Sequence, residues 1–321
     1  MTQDRTISLR DGFSRLVSPT QHLFALLDSA REPGIPMELR RKGAEFSSLY
    51  RGEPEESLSS VAPYLARVDP QCELMRWLLT NGWGHSWGIF LVSSTSLETL
   101  RQHFRRFLLV RDVAGKELYF RFYDPRVLRT FLPTCTGAET RRFFGPVGIY
   151  LMEAENGEAV SFFSRRTAKT IRVAELNGWS DAALVADGSS AEATPKLVKY
   201  RLRFREEQMN VFSDYMNKSF ASRAAQYLRE SCPDAANSMT AVELQKFIDT
   251  GVDRAARYSF IREDEIGVFL ELMLLFGMDF DHKADWAAEV LQNPDLSAAE
   301  RLNTLHEHRD NATERRLGTA G

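Results

Sequence analysis

The sequence predicts an N-terminal α/β domain with a central mixed sheet flanked by helices, followed by an all-α helical bundle. Strand and helix patterns interleave over the first 170 residues, which is typical of a sheet covered by helices. From residue 204 onward, apolar residues recur at helical spacing. Residues 174–197, which lie between the two regions, are mostly small and polar and are predicted to be a linker. The predicted domains are therefore residues 1–173 and 198–321.

Composition places the chain among ordinary globular proteins. It has 321 residues, of which 43% are hydrophobic and 26% charged. Its longest apolar run, residues 266–276, is too short to cross a bilayer, and residues 1–12 lack the apolar centre of a signal peptide. Cys72, Cys135 and Cys232 form no C-x-x-C pair. These features predict a cytoplasmic protein with free thiols and no membrane span.

Strands of the first domain are predicted where short apolar runs are bounded by Gly, Pro or Ser. A further strand is predicted where Leu118, Phe120 and Phe122 alternate with polar or tyrosine residues. The other predicted strands are residues 22–28, 46–51, 64–68, 87–92, 148–153 and 159–163.

Helices of the first domain are predicted from spacing and from end signals. Residues 72–80 have a helical pattern that Asn81-Gly82 terminates. Residues 97–108 form an amphipathic pattern in which Arg101, Arg105 and Arg106 take the outer face. Asp124-Pro125 combines a favourable N-cap with proline at the first helical position, so a helix is predicted to continue over 127–132.

The second domain is predicted to contain about five helices. The helix at 263–276 is apolar nearly all round, so it is either the central helix of the bundle or one whose excess apolar face is covered by a partner. Ser297 and Glu300 form a capping-box pattern. The predicted helices are residues 204–229, 240–258, 263–276, 285–291 and 297–308.

Charge is distributed unevenly along the chain. The net charge is −3, yet residues 101–172 carry 14 basic and 7 acidic side chains, and residues 201–321 carry 15 and 21. The pattern indicates either ordinary solvated surfaces or a basic face that docks acidic protein, from the second domain or from a partner. No recognisable nucleic-acid motif accompanies the arginines, so nucleic-acid binding is not predicted. The candidate partner-binding residues are Arg101, Arg105, Arg106, Arg126, Trp83 and Trp87.

Gly84-His85-Ser86-Trp87-Gly88 matches G-x-S-x-G, the nucleophile elbow of α/β-hydrolases. That elbow needs a strand before the serine and a helix after it, whereas here a helix precedes and a strand follows. The pattern instead predicts a tight turn in which Trp83 and Trp87 pack and Ser86 forms local hydrogen bonds. No catalytic residue is predicted.

The sequence also contains candidate acid/base and metal-ligand residues. Asp28 and Asp124 both end predicted strands and could form an acid/base pair, although turn-forming and capping roles explain them better. Asp279-Phe-Asp281 resembles the start of a calcium loop but fails at three later positions, which favours a helix-to-helix turn with Asp285 as an N-cap. His306 and His308 are two residues apart and point in different directions on a helix. No metal or cofactor is predicted.

The first domain resembles the type VI secretion effector chaperones, a family long labelled only as a domain of unknown function. The resemblance covers about residues 20–165 and is most specific at the Arg-Phe-Tyr-Asp-Pro-Arg and Gly-Trp-Gly strings. The strings that carry it are His22-Leu-Phe-Ala-Leu-Leu-Asp28-Ser-Ala30, Ala62-Pro-Tyr-Leu65, Gly82-Trp-Gly84 with Trp87-Gly-Ile-Phe-Leu91, Leu100-Arg-Gln-His-Phe-Arg-Arg-Phe107 and Phe120-Arg-Phe-Tyr-Asp-Pro-Arg-Val-Leu128.

The resemblance implies a non-enzymatic cytoplasmic adaptor. Such proteins bind one toxic effector and help load it onto the VgrG (valine-glycine repeat) spike protein of the secretion apparatus. The helical second domain is similar to the variable C-terminal extensions of that family. Two alternatives stay open at this point: a hydrolase that uses Ser86, or Asp28 with Asp124, and an immunity protein that neutralises the effector. Strand-turn-helix order around residue 86 would favour the hydrolase.

Overall fold

A computed structural model describes residues 3–50, 60–155, 157–178, 202–260 and 262–318. The chain divides into two compact units, Met1–Phe212 and Ser213–Gly321. The first contains a sheet with helices and the second is helical, so the predicted fold class is confirmed, although the described pairings of the sheet are antiparallel and not mixed. Within the described ranges, no helix is long and apolar enough to cross a membrane.

A seven-stranded sheet forms the centre of the first unit. All of its described pairings are antiparallel, and the strand order is β2-β3-β1-β4-β7-β8-β9. The strands are β1 (His22–Asp28), β2 (Phe46–Ser48), β3 (Pro63–Val68), β4 (Gly88–Ser93), β7 (Ile149–Glu153), β8 (Ala159–Phe163) and β9 (Ala168–Arg172). A separate hairpin pairs β5 (Leu109–Arg111) with β6 (Glu117–Tyr119).

Both faces of the sheet are covered, which explains why β1 is apolar at nearly every position. Leu23, Ala25 and Leu27 lie in one hydrophobic cluster. Phe24 and Leu26 lie in another on the opposite face, as the alternation of a strand requires. The helices of this unit are α1 (Gln3–Leu16), α2 (Ile35–Arg41), α3 (Glu73–Trp77), α4 (Leu97–Arg105), α5 (Pro125–Phe131) and α6 (Gly137–Phe144).

The strand predicted over 118–123 is wrong beyond Tyr119. Phe120, Phe122 and Tyr123 are all buried, so the alternation of the sequence does not match two faces of a strand. A turn interrupts the strand, since the Asp124 amide donates to the Arg121 carbonyl at 2.9 Å. α5 begins directly after it, and its predicted Asp124 cap is confirmed.

The helix predicted over 72–80 changes its hydrogen-bond pattern part-way. α3 ends at Trp77, and Leu78–Gly82 continues as a π-helix. The chain then turns and enters β4. Helix therefore precedes residue 86 and strand follows it, as predicted.

Two segments that follow the predicted strands in sequence also belong to the first unit. Val173–Gly178 forms a 3-10 helix whose Leu176 is buried against Gly12 of α1. Leu202 and Phe204 also lie in the core of this unit, where Phe204 packs on Phe120 and Phe131. Residues 179–197 of the predicted linker lie outside the described residues, and the predicted domain boundaries stay a prediction.

The second unit is built around one buried helix. Its helices are α7 (Glu206–Ser231, which begins in the first unit), α8 (Pro233–Asn237), α9 (Ala241–Arg257), α10 (Glu263–Phe276), α11 (Phe280–Lys283), α12 (Asp285–Leu291) and α13 (Ala298–Gly318). Every residue of α10 from Glu265 to Met273 is buried, which confirms its prediction as the central helix. The capping box of Ser297 and Glu300 is confirmed. Asp285 is not an N-cap, because it is already the first residue of α12 and Ala284 takes the cap position.

Candidate functional site

The polar and glycine-rich strings singled out in the sequence meet at one end of the sheet, which we call the motif end. Asp28 closes β1 there, and its neighbour in β3 is Pro63. Gly88 opens β4 opposite Leu27, and Glu153 closes β7 beside it. Because neighbouring strands are antiparallel, strand ends and strand starts lie side by side at this end.

Asp28 connects three segments of the motif end. Its backbone amide donates to the Trp87 carbonyl at 2.7 Å, and its Oδ1 accepts from the Ala30 amide at 3.1 Å. Its Oδ2 accepts a hydrogen bond from Arg121. The carboxylate is wholly buried, so this charge-assisted bond supplies the partner that a buried anion requires. The predicted turn-forming role of Asp28 is confirmed.

Asp124 holds the start of α5. Its Oδ1 accepts from the Arg126 amide at 3.0 Å, and its carboxylate also accepts two hydrogen bonds from the Arg126 guanidinium, at 2.9 and 2.6 Å. Arg31 lies 3.7 Å from the same carboxylate. Burial raises the pKa of Asp124 to about 6, although Arg31 and Arg121 favour its charged form.

Glu153 holds the turn that contains Ser86. Its carboxylate accepts from the Ser86 amide at 2.9 Å, from the Ser86 hydroxyl at 3.1 Å and from the Gly84 amide. Gly84 and Ser86 both have positive φ, and the Trp83 indole donates to the Gly157 carbonyl at 2.6 Å. Burial raises the pKa of Glu153. The predicted tight turn is present, but the hydrogen bond of its serine hydroxyl is not the local one that was expected, because Glu153 lies 67 residues further along the chain.

Exposure differs between the acids and the arginines of the motif end. The side chains of Asp28 and Asp124 are 0% and 3% exposed, whereas those of Arg31 and Arg121 are 36% and 41% exposed. Arg126 is 30% exposed. The carboxylates therefore stabilise the interior, and the surface itself presents guanidinium groups. Such a surface favours acidic groups of another molecule.

The basic face predicted on α4 is only partly exposed. Arg106 is exposed, but Arg101 and Arg105 are half-buried. Arg101 donates to the main-chain carbonyls of Ser48 at 2.8 Å and Tyr50 at 3.3 Å, because β2 and the residues after it lie against α4. Arg101, predicted on the outer face of this helix, is instead directed mainly inward, although it also pairs with the exposed Glu98 at 3.5 Å.

The two predicted tryptophans differ in accessibility. Trp83 is buried, whereas Trp87 is half-buried and its ring lies 5.1 Å from that of Trp77. Gly82 makes room for Trp87, since a Cβ at that position would lie 2.5 Å from the indole. Of the predicted pair, Trp87 is thus the one whose surface a partner can reach.

The other candidate ligand residues are engaged in packing and ion pairs. Asp281 is buried and accepts from Arg254, and Asp279 pairs with Arg254 at 2.9 Å. His308 stacks on Trp286 with ring centroids 3.9 Å apart. In the part of the chain that the structure describes, no cluster of three or more His, Cys, Asp or Glu side chains could hold a metal ion. None of the three cysteines forms a disulfide bond.

Sequence reasoning missed two members of the motif end. Glu153 stands at the end of an apolar strand and Arg31 in a short turn, and neither position carries a motif. Each acquires its role from contacts with segments far away in the chain, as Glu153 does with the turn at Gly84 and Ser86. Local patterns contain no signal for such contacts.

The strings of the motif end lie almost wholly within a segment that matches one family model. Residues 23–142 match the model of a family described as a domain of unknown function, DUF4123. The matched segment runs from β1 into α6, and it includes Asp28, Trp87, Arg121 and Asp124. The second unit lies outside the match. No curated protein and no solved structure matches the chain.

Proposed function

We propose that this protein is a cytoplasmic adaptor that binds a type VI secretion effector and helps load it onto the VgrG spike protein. The match of residues 23–142 to DUF4123, a family generally associated with type VI secretion adaptors, supports this function. The quoted strings, which suggested the same family from the sequence, lie almost wholly inside that segment.

The observation that carries the proposal is the charge arrangement of the motif end. The carboxylates of Asp28, Asp124 and Glu153 are buried, and the partly exposed guanidinium groups of Arg31, Arg121 and Arg126 pair with the first two. A surface of this kind suits the docking of an acidic protein segment, since arginines bind carboxylates in a bidentate fork and are enriched at protein interfaces. The half-buried Trp87 beside it adds the aromatic contact that is typical of binding hot spots.

The two units have separate roles in this proposal. The sheet unit, with the arginines of the motif end and Arg106, binds one protein partner. The helical unit recognises the other partner. The opposite charge balance of residues 101–172 and 201–321 supports this division, because two partners of different charge then select different units.

The rival functions predict different complexes. An immunity protein binds the effector without the spike, whereas an adaptor holds both. A hydrolase needs a serine that is presented between a strand and a helix, and here Ser86 follows a π-helix and precedes β4. The Ser86 hydroxyl donates to Glu153, which accounts for its position in the turn.

Secretion in the native cell tests the proposed function. Deleting the gene should remove one effector from the secreted fraction while other substrates of the apparatus are still exported. Expression of the intact chain in the deletion strain should restore that effector. Unchanged secretion of every effector in the deletion strain would contradict the proposal, and so would a general failure of secretion.

A further inference from the structure

The central helix of the second unit emerges into solvent at its C-terminal end. α10 is buried through Met273, but Phe276 is 42% exposed and Met278, two residues further on, is 40% exposed. Gly277 between them has φ of 96°, a conformation that ends the helix and that glycine adopts without strain. Two large apolar side chains, separated by one glycine, are thereby exposed on the surface of this unit.

Aromatic rings from two other helices adjoin this end of α10. The ring of Phe276 lies 5.4 Å from that of Trp286 in α12. Trp286 in turn stacks on His308 of α13 at 3.9 Å with an interplanar angle of 13°. Trp286 and His308 are each half-buried, so part of both rings faces solvent. We call Phe276, Met278, Trp286 and His308 the Trp286 patch.

Exposed acidic side chains lie on the two helices that supply Trp286 and His308. Asp285 precedes Trp286, Glu289 lies three residues after it on the same side of α12, and Glu307 precedes His308. All three are exposed, and none forms an ion pair or a side-chain hydrogen bond with another described residue. Their charges are therefore available to a ligand.

Two of the described basic side chains of the same region pair with acids, and a third, Arg301, donates to the Asn293 carbonyl at 2.9 Å. Lys283 pairs with Asp279 at 2.9 Å. Arg309 pairs with Asp310 at 2.7 Å and with Glu271 at 3.3 Å. Among the described side chains of α12 and α13, the three acids without an ion pair outnumber Arg301, so their uncompensated charge is negative.

We propose that the Trp286 patch is the docking surface for a basic amphipathic segment of the partner that the helical unit recognises. The apolar side of that segment would cover Phe276 and Trp286, and its lysines or arginines would face Asp285, Glu289 and Glu307. Tryptophan is enriched at binding hot spots, and a flexible methionine adapts to the shape of a ligand. The identity of the partner rests on the proposed adaptor function. The docking surface itself does not.

A designed peptide tests the surface directly. The probe is a helix of about 18 residues with leucines on one side and lysines on the other, long enough to fold on binding. Its matched control carries glutamates in place of the lysines. The full chain is labelled with carbon-13 at its methionine methyl groups and titrated with each peptide. The lysine peptide should shift the Met278 signal and leave Met216, which is exposed on α7, unchanged. The glutamate peptide should shift neither.

Substitutions then connect binding to the patch. Phe276→Glu should weaken binding of the lysine peptide by about tenfold or more, since it places a charge in the apolar centre. Val242→Glu, at a 79% exposed position of α9, is the matched control and should leave the affinity unchanged. If circular dichroism shows that the Phe276 variant is unfolded, the double variant Asp285→Lys/Glu289→Lys, which changes only exposed side chains, provides the same test. It should also weaken binding of the lysine peptide.

Three results would overturn the inference: equal binding of both peptides, no shift of Met278, or full affinity in the folded patch variants. These results are distinguishable from failure of the proposed function, which the deletion strain measures. A chain that binds the lysine peptide at the patch but whose loss leaves secretion unchanged would retain the docking surface and contradict the adaptor function. A chain that does not bind the lysine peptide at the patch but whose loss removes one effector from the secreted fraction would contradict the docking surface alone.

Discussion

Arg121 forms an ion pair with Asp28 across 93 residues of sequence, and only the arginine reaches solvent. The pair joins the end of β1 to the turn that precedes α5. Asp124 lies three residues after Arg121 and caps that helix, so a single short string fixes both the strand end and the helix start. This geometry explains the structural role of the Arg-Phe-Tyr-Asp-Pro-Arg string.

Removing Arg121 should destabilise the first unit. Arg121→Ala leaves the Asp28 carboxylate buried without a cation, which we expect to cost about 2–3 kcal/mol because the exposed part of Arg121 is already solvated. Urea unfolding followed by tryptophan fluorescence measures the loss. Arg111→Ala is the control: its pair with Glu117 is exposed, and its loss should cost less than about 1 kcal/mol. Adding Asp28→Asn to Arg121→Ala should recover part of the loss. Equal cost for Arg121→Ala and Arg111→Ala would refute this assignment.

Gly88 should tolerate no side chain. A Cβ at this position would lie 2.2 Å from the Leu26 carbonyl oxygen and 2.9 Å from the Leu27 Cα, both of which are backbone atoms of β1. Gly88→Ala must therefore displace a central strand pair, and we expect it to lower the free energy of unfolding by about 2–4 kcal/mol. Gly137→Ala begins α6 with no close contact and should change stability by less than about 1 kcal/mol. A Gly88→Ala protein as stable as the wild type would show that β1 and β4 are not packed this closely.

His103 should make stability depend on pH. It is buried in α4, where its Nε2 donates to the Phe143 carbonyl at 2.8 Å. Burial lowers the pKa of His103 from 6.5 to about 4. Between these values the unfolded chain binds a proton that the folded chain does not, so this contribution to stability falls as the pH falls from 6.5 to about 4. The maximum loss is about 3 kcal/mol.

Comparison with His103→Gln isolates this contribution. Asp124, whose pKa is raised to about 6, acts in the opposite direction over part of the same range and is present in both proteins. Urea midpoints measured from pH 7 to pH 4 should therefore decline more steeply for the wild type than for the variant. Parallel pH profiles would show that His103 is not held neutral.

Arg101 and Arg106 should separate stability from binding. Arg101→Ala removes hydrogen bonds to two main-chain carbonyls, so we expect a loss of about 1–2 kcal/mol in unfolding experiments. Arg106→Glu changes an exposed side chain and should leave stability within about 0.5 kcal/mol of the wild type. It should nevertheless weaken capture of the partner that binds the sheet unit. If the Arg106→Glu protein captures both effector and spike at full strength, this part of α4 is not in the interface.

The sequence predicted the fold where hydrophobic spacing and end signals agree. His22–Asp28, Ala159–Phe163, Glu263–Phe276 and Asp285–Leu291 have the predicted limits. α1 was missed because its apolar residues are few, although Leu9, Phe13 and Leu16 are buried at helical spacing. The strand at 118–123 was overextended because burial on both sides of a turn produced a strand-like alternation.

The candidate site was predicted less completely. Asp28 and Asp124 were identified from their positions at predicted strand ends, but of their arginine partners only Arg126 was among the predicted partner-binding residues. Arg121 is both an internal ion-pair partner and a surface residue, since it binds a buried carboxylate and is also 41% exposed. Sequence spacing does not show which carboxylate an arginine reaches when the two are 93 residues apart.

The mass of a reconstituted complex tests the central claim most directly. The purified chain is mixed with the effector whose secretion the deletion removes and with the spike protein of the same cell, and light scattering during size-exclusion chromatography gives the mass of each species. The account predicts one species that contains all three proteins, and Ser86→Ala should form it equally well. A chain that binds the effector alone, or neither protein, would contradict the account.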